Sequence, residues 1–275
     1  MQNITIAQTE VIAGRPDLNC AKMLSAVETA KKQGGKIIVF PAMALTGWFL
    51  GDTWQFECFV EDAKKYGEKI VEASQDITII FGNVAGDAKG HLYSATYVAQ
   101  NGKLIGGQKE YSGAVAVKKN LNWIDKRYFT PAPQDPQPIT ITIEGQSYSF
   151  IFLIGEDIML TPKGPKVDYI IYLNNRAFAW TKTNYAIPFW ANRLQACLIQ
   201  VNMVGIQNTG KTVYAMPGGS SVYNQHGESL QQLPLWQESI YTLPFDPRIA
   251  QIEEPEQYES VYFSLNKPKI SYVYQ

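Results

Sequence analysis

Polar and apolar residues alternate through Asn3-Ile4-Thr5-Ile6, the two-residue period of a strand, and predict one over residues 3–8. After Pro16, the residues Leu18, Ala21, Leu24, Val27 and Ala30 recur at helical spacing, with Asp17 as the expected N-cap and Gly34-Gly35 as the stop. The run Lys36-Ile37-Ile38-Val39-Phe40, closed by Pro41, has the length and β-branched content of a buried strand, so the opening reads as a β-α-β unit. A second helix over 57–73 leads into a strand at 77–82, and alternation resumes from His91 through Thr96-Tyr97-Val98. Asn101-Gly102 and Glu144-Gly145 mark hairpin turns. Farther on, 169–173 reads as a strand, 181–199 as a helix apart from Pro188, 201–206 and 218–223 as strands, and His226-Gly227 as a turn. Helices early and late with hairpins between them fit two sheets packed face to face with helices outside, an α/β architecture. One domain over 1–275 is expected, with the Pro-rich, aromatic stretch 244–275 as a C-terminal arm.

Composition narrows the function classes. Apolar residues make up 45% of the chain and charged ones 18%, enough for a large core without disulfide staples and unlike a disordered chain. With 24 Lys plus Arg against 25 Asp plus Glu, nothing in the charge favours nucleic acid. Cys20, Cys58 and Cys197 lie far apart without a metal-ligand spacing, which fits reduced thiols in a cytoplasmic protein. The first residues enter a strand directly, with no basic leader and no long apolar run, so neither export nor a membrane is expected. His91 and His226 fall at turns without other ligand types near them, and no Gly-rich loop leads into a helix; no metal and no cofactor are expected.

Three loops that follow strand-like sequence carry the unusual residues: Phe40-Pro41-Ala42-Met43-Ala44-Leu45-Thr46-Gly47-Trp48 with Asp52 beyond it, Asp125-Lys126-Arg127-Tyr128-Phe129, and Gly155-Glu156-Asp157-Ile158-Met159. With Asn202-Met203-Val204-Gly205, Gly218-Gly219-Ser220 and His226-Gly227-Glu228 after them, these loops resemble, in order and over nearly the whole chain, the nitrilase superfamily of carbon–nitrogen hydrolases. The similarity is to the glutaminase domain of glutamine-dependent NAD synthetases. It implies a four-layer α-β-β-α sandwich of nitrilase type, with a pocket lined by Trp48, Asp125, Arg127, Tyr128, Glu156 and Asp157.

The family's reaction uses a thiolate to attack an amide carbon, a carboxylate to move the proton and a lysine to hold the developing negative charge. By the resemblance, Ala42 stands at the glutamate position and Gly155 at the cysteine position, and neither can perform those steps. The resemblance places the lysine at Lys109, with about five residues inserted before Arg127; Lys118, which needs two larger gaps, is the alternative. Cys197 reads as a small buried hydrophobe inside the 181–199 helix, and Glu110 as a solvated carboxylate beside Lys109. Arg127 is expected to clamp Asp125, Glu156 or Asp157. A non-catalytic binding or assembly protein is therefore the first expectation, and an amidohydrolase or glutaminase with relocated or altered catalytic groups is the alternative. The resemblance also implies a homodimer or larger homo-oligomer, a small amide or carboxylate ligand, and a separate NAD synthetase subunit as candidate partners.

Overall fold

A computed structural model describes residues 2–160, 167–178, 186–208 and 212–245. In chain order the elements are β1 (Gln2–Gln8), α1 (Pro16–Lys32), β2 (Ile37–Val39), α2 (Glu57–Glu72), β3 (Thr78–Gly86), β4 (Leu92–Gln100), β5 (Lys103–Leu104) and β6 (Ala116–Val117). They continue with β7 (Ile139–Ile143), β8 (Gln146–Ile154), α3 (Asp157–Leu160), β9 (Tyr169–Leu173), α4 (Ala186–Leu194), β10 (Cys197–Val201) and β11 (Val204–Asn208). The last four are β12 (Val213–Pro217), β13 (Ser221–Tyr223), β14 (Ser229–Gln232) and β15 (Ser239–Phe245).

The first sheet has the order β15-β1-β2-β3-β4-β5, with β6 also paired to β4, and the second has the order β14-β13-β10-β9-β8-β7. Strands β1, β2 and β3 are mutually parallel, as are β8, β9 and β10. Such strands are buried on both faces, and their side chains sort by the two-residue period. Ile37, Val39 and Ile80 join Phe150, Phe152, Ile171, Leu173 and Ile199 in the layer between the sheets. Ile38, Phe40, Ile79 and Phe81 face the other way, onto Met23, Val27 and Ala30 of α1 and Ile70 of α2. On the far side Ile151, Leu153, Ile170 and Leu198 meet Ile187, Ala191 and Leu194 of α4. The result is the expected α-β-β-α layering.

Several expected elements change. The first helix begins at Pro16, whose missing N–H is harmless in a first turn, so Asp17 is not the cap; it pairs with Arg15 at 2.6 Å instead. Its core face is rotated from the expected one: Asn19, Cys20, Met23, Ala26, Val27 and Ala30 are buried, whereas Leu18 and Ala21 are exposed. The helix expected over 181–199 exists only as α4, because Gln195 turns through φ 49° into β10; residues 179–185 lie outside the described residues. Cys197 is buried as expected, but in a central strand. The strand expected over 201–206 is split at Asn202, whose backbone N–H goes to Ser220 Oγ and whose Nδ2 goes to the Gly218 carbonyl. The hairpin turns at Asn101-Gly102 and Glu144-Gly145 are present, with both residues of each in the positive-φ region such tight turns need. The expected arm over 244–275 begins inside β15, and 246–275 lies outside the described residues.

Candidate functional site

Strand β8 ends at Ile154, and Gly155 turns the chain with φ 54° while its N–H returns to the Leu173 carbonyl at 3.0 Å. This left-handed turn sits at the carboxyl end of a parallel strand, where open α/β sheets place their sites. A Cβ added to Gly155 would lie 2.8 Å from Lys118 Nζ and 3.2 Å from its Cε. The Lys118 ammonium therefore fills the space in which any larger residue at 155 would begin its side chain.

Lys118 reaches this place from the end of β6, where its backbone N–H bonds the Ser94 carbonyl at 2.8 Å. Its side chain is 1% exposed and lies 2.5 Å from Asp125 Oδ2 and 2.5 Å from Glu156 Oε2. Burial works to depress the lysine, but Asp125 and then Glu156 outweigh it, and the net shift is upward. Glu156 is the mirror case: burial raises its carboxyl, Lys118 lowers it further, and the net shift is downward. The second Asp125 oxygen accepts the Trp48 indole N–H at 2.7 Å, and Trp48 is itself seated by Gln207 Oε1, which accepts its backbone N–H at 3.0 Å. Asn122 closes the group: its Oδ1 accepts the Ile124 and Asp125 N–H groups, and its Nδ2 donates to Glu156 Oε1 at 3.2 Å.

Beside this ion cluster lies a cleft of ≈ 200 Å³. Trp48, Ile158, Ile187 and Trp190 give it apolar walls, while Glu156 and Arg176 supply charge. Asn174, also in the wall, holds the Asn175 N–H with its Oδ1, but its buried Nδ2 has no hydrogen-bond partner among the described residues. Asp157 lies behind the wall and accepts the N–H groups of Lys119 and Asn120; burial pushes its carboxyl up to about 6 despite those bonds.

The structure gathers Trp48, Lys118, Asp125, Glu156 and Asp157 at one place. Of the six residues expected to line the pocket, Trp48 and Glu156 do; Asp125 and Asp157 stand behind the wall, and Arg127 and Tyr128 are elsewhere. Arg127 is exposed at the end of a single 3-10 turn that points Asp125 inward, and it stacks over the Trp123 ring at 5.6 Å rather than clamping a carboxylate. Tyr128 donates its hydroxyl to Asp52 at 2.9 Å. Lys109, the lysine expected at the site, occupies an exposed turn with Glu110, and the alternative, Lys118, is the one that stands beside Gly155. Ala42 is buried in the layer between the sheets, on the loop where Met43 receives the Ser94 hydroxyl. Cys20 and Cys197 are buried in apolar clusters, and Cys58 is exposed on α2. His91 Nδ1 bonds Asp87 at 2.9 Å in a surface turn, and His226 lies beside Gln225. Among the described residues no cluster of His, Cys, Asp and Glu could hold a metal ion. Asn122, Asn174, Asn175, Arg176 and Trp190 were not expected in the site. A polar Asn174-Asn175-Arg176 directly after the buried strand 169–173 was the signal that could have pointed to three of them.

No protein-family model matches the chain. It is similar to a glutamine-dependent NAD⁺ synthetase structure from Acinetobacter baumannii, with a TM-score of 0.75 and 24% identity over 93% of this chain and 48% of that one. It is also similar to a cysteine-to-alanine mutant of the Nesterenkonia AN1 amidase from the nitrilase superfamily, with a TM-score of 0.74 and 16% identity over 88% of this chain and 89% of that one. The chain has the nitrilase fold. Among curated proteins, this nitrilase-fold chain is 27% identical over 252 residues to the glutamine-dependent NAD(+) synthetase of Acinetobacter baylyi and 23% identical over 256 residues to that of Thermotoga maritima. It spans 44% and 42% of their lengths, less than half of each relative. No helix among the described residues is long and apolar enough to cross a membrane.

Proposed function

We propose that this nitrilase-fold protein has no amide-hydrolase chemistry and uses its cleft for non-covalent binding or as part of an assembly. Hydrolysis by the family's route needs a nucleophile and a base converging on one amide carbon. The motif resemblance assigns those positions to Gly155 and Ala42. The observation that carries the reading is the ammonium of Lys118, 2.8 Å from the point where a side chain at 155 would start and held there by two carboxylates. Among the described residues that line the cleft there is no cysteine, serine, threonine or histidine. The buried Cys197 and the exposed Lys109 and Glu110 give no support to relocated catalytic groups. In the assembly form of this reading, the chain works in the cytoplasm beside a second copy of itself or an NAD synthetase subunit.

The test is ammonia release from L-glutamine and propionamide by the purified protein, together with mass spectrometry after exposure to a glutamine-analogue alkylator. Neither turnover above a protein-free control nor a covalent adduct is expected, and Gly155→Cys alone should stay inactive because Ala42 supplies no base. Turnover on the order of 1 s⁻¹, ordinary for an enzyme, would overturn the proposal.

A further inference from the structure

Hydrogen-bonding capacity around the cleft is unevenly spent. The acceptors are engaged: Asn122 Oδ1 holds two backbone N–H groups, Asn174 Oδ1 holds one, Glu156 Oε1 takes the Asn122 amide, and Glu156 Oε2 is held by the Lys118 ammonium alone. What stands open among the described residues is a donor, the buried Nδ2 of Asn174. A buried polar group without a partner is costly, and a ligand that supplies an acceptor removes the cost. Arg176 in the same wall and Lys118 just behind Glu156 add positive charge on that side.

The two carboxylates on Lys118 are not equivalent. Asp125 is 1% exposed and fixed through its other oxygen by Trp48, whereas the Glu156 side chain is 43% exposed and belongs to the cleft wall. Glu156 can thus turn out to water once another carboxylate takes its place on Lys118, while Asp125 cannot. We propose that the cleft is a receptor site for a small carboxylate, whose carboxylate group displaces that of Glu156 from Lys118 and accepts the Asn174 Nδ2–H. This rests on the non-catalytic reading, and names the ligand class for the same cleft. The exchange leaves one ammonium facing two carboxylates before and after, so no net charge is buried. The Glu156 carboxylate then acts as an internal stand-in for the ligand. The apolar body of the acid lies against Trp48, Ile158, Ile187 and Trp190, and a cleft of ≈ 200 Å³ suits a chain of a few carbons.

Isothermal titration of the purified chain with propionate, propionamide and n-propylammonium tests this. Propionate should bind, with the neutral and cationic probes at least about tenfold weaker. Glu156→Gln removes the internal competitor and should tighten propionate binding about tenfold, whereas Asn174→Leu should weaken it about tenfold, with thermal melts showing both variants folded. Propionamide binding as tightly as propionate, or Glu156→Gln leaving the affinity unchanged or weaker, would overturn the proposal. A silent hydrolysis assay with no propionate binding defeats this inference alone, whereas ammonia release from glutamine defeats the non-catalytic reading whatever propionate does.

Discussion

Asp157 accepts the backbone N–H of Asn120 at 2.7 Å and that of Lys119 at 3.1 Å, yet burial dominates and pushes its carboxyl from the usual 3.8 up to about 6. Between those values the folded chain holds a proton that the unfolded chain has lost. This group therefore destabilises the fold above about pH 6, and the penalty disappears as pH falls toward 4. The difference amounts to at most about 3 kcal/mol. Denaturant melts of the wild type and Asp157→Asn at pH 7.5 and 5 should show the wild type gaining relative to the variant at the lower pH; a gap independent of pH would refute the assignment. At this scale the sequence was partly legible. Gly155, Glu156 and Asp157 stand out as an unusual loop, and Trp48 and Asp125 follow from ordered motifs. The choice between Lys109 and Lys118 was not legible, because it depends on how many residues loop out before Arg127, and spacing alone does not measure that. Asn174 and Arg176 are not legible, because each polar residue after a strand reads locally as a turn.

Helix α1 shows how an element can be legible while its orientation is not. Apolar spacing from Leu18 suggests one face, but the side chain of Asn19 bonds both the N–H and the carbonyl of Ile12 and the carbonyl of Leu45, so a polar residue takes the buried place next to it. With Asn19 inside, Met23, Ala26, Val27 and Ala30 follow, and Leu18 is left 39% exposed. Val27→Ala should accordingly cost about 2 kcal/mol, and Leu18→Ala no more than about 0.5 kcal/mol. Urea unfolding of the two variants distinguishes the faces, since the apolar-spacing reading gives them similar costs. The 181–199 segment has a related ambiguity. Cys197-Leu198-Ile199-Gln200-Val201 is buried on both faces of the sheet, and a short apolar run of that kind has no period to separate helix from strand. Only pairing with β9 and β13 decides it.

Two apolar sheet faces could pack at more than one offset, because the hydrophobic effect between them is non-directional. Gln8, at the end of β1 in the first sheet, supplies direction. Its Oε1 accepts the N–H of Ser220, just before β13 of the second sheet, at 2.8 Å, and its Nε2 donates to the Pro234 and Gln237 carbonyls at 2.7 and 2.8 Å. Ser220 Oγ in turn receives the Asn202 N–H at the end of β10. Gly218 completes the joint: its φ of 72° and the 2.5 Å from its absent Cβ to Gln8 Cδ leave room for no other residue. Asn202 carries the chain of bonds on, its side chain pairing with the N–H and carbonyl of Arg176, so the end of β1 is joined to the segment after β9 that carries Asn174 and Arg176. This linkage makes the geometry of the cleft a property of how the sheets are registered. Gln8→Leu keeps the volume but leaves the Ser220 N–H and two carbonyls without their partner, at a cost of about 3 kcal/mol. If Gln8 sets the offset between the sheets, the loss extends beyond stability: at a temperature where the variant remains folded, the near-ultraviolet circular dichroism from Trp48 and Trp190 should change. An unchanged aromatic spectrum with a lowered melting temperature would reduce Gln8 to a local bond and leave packing alone to set the offset.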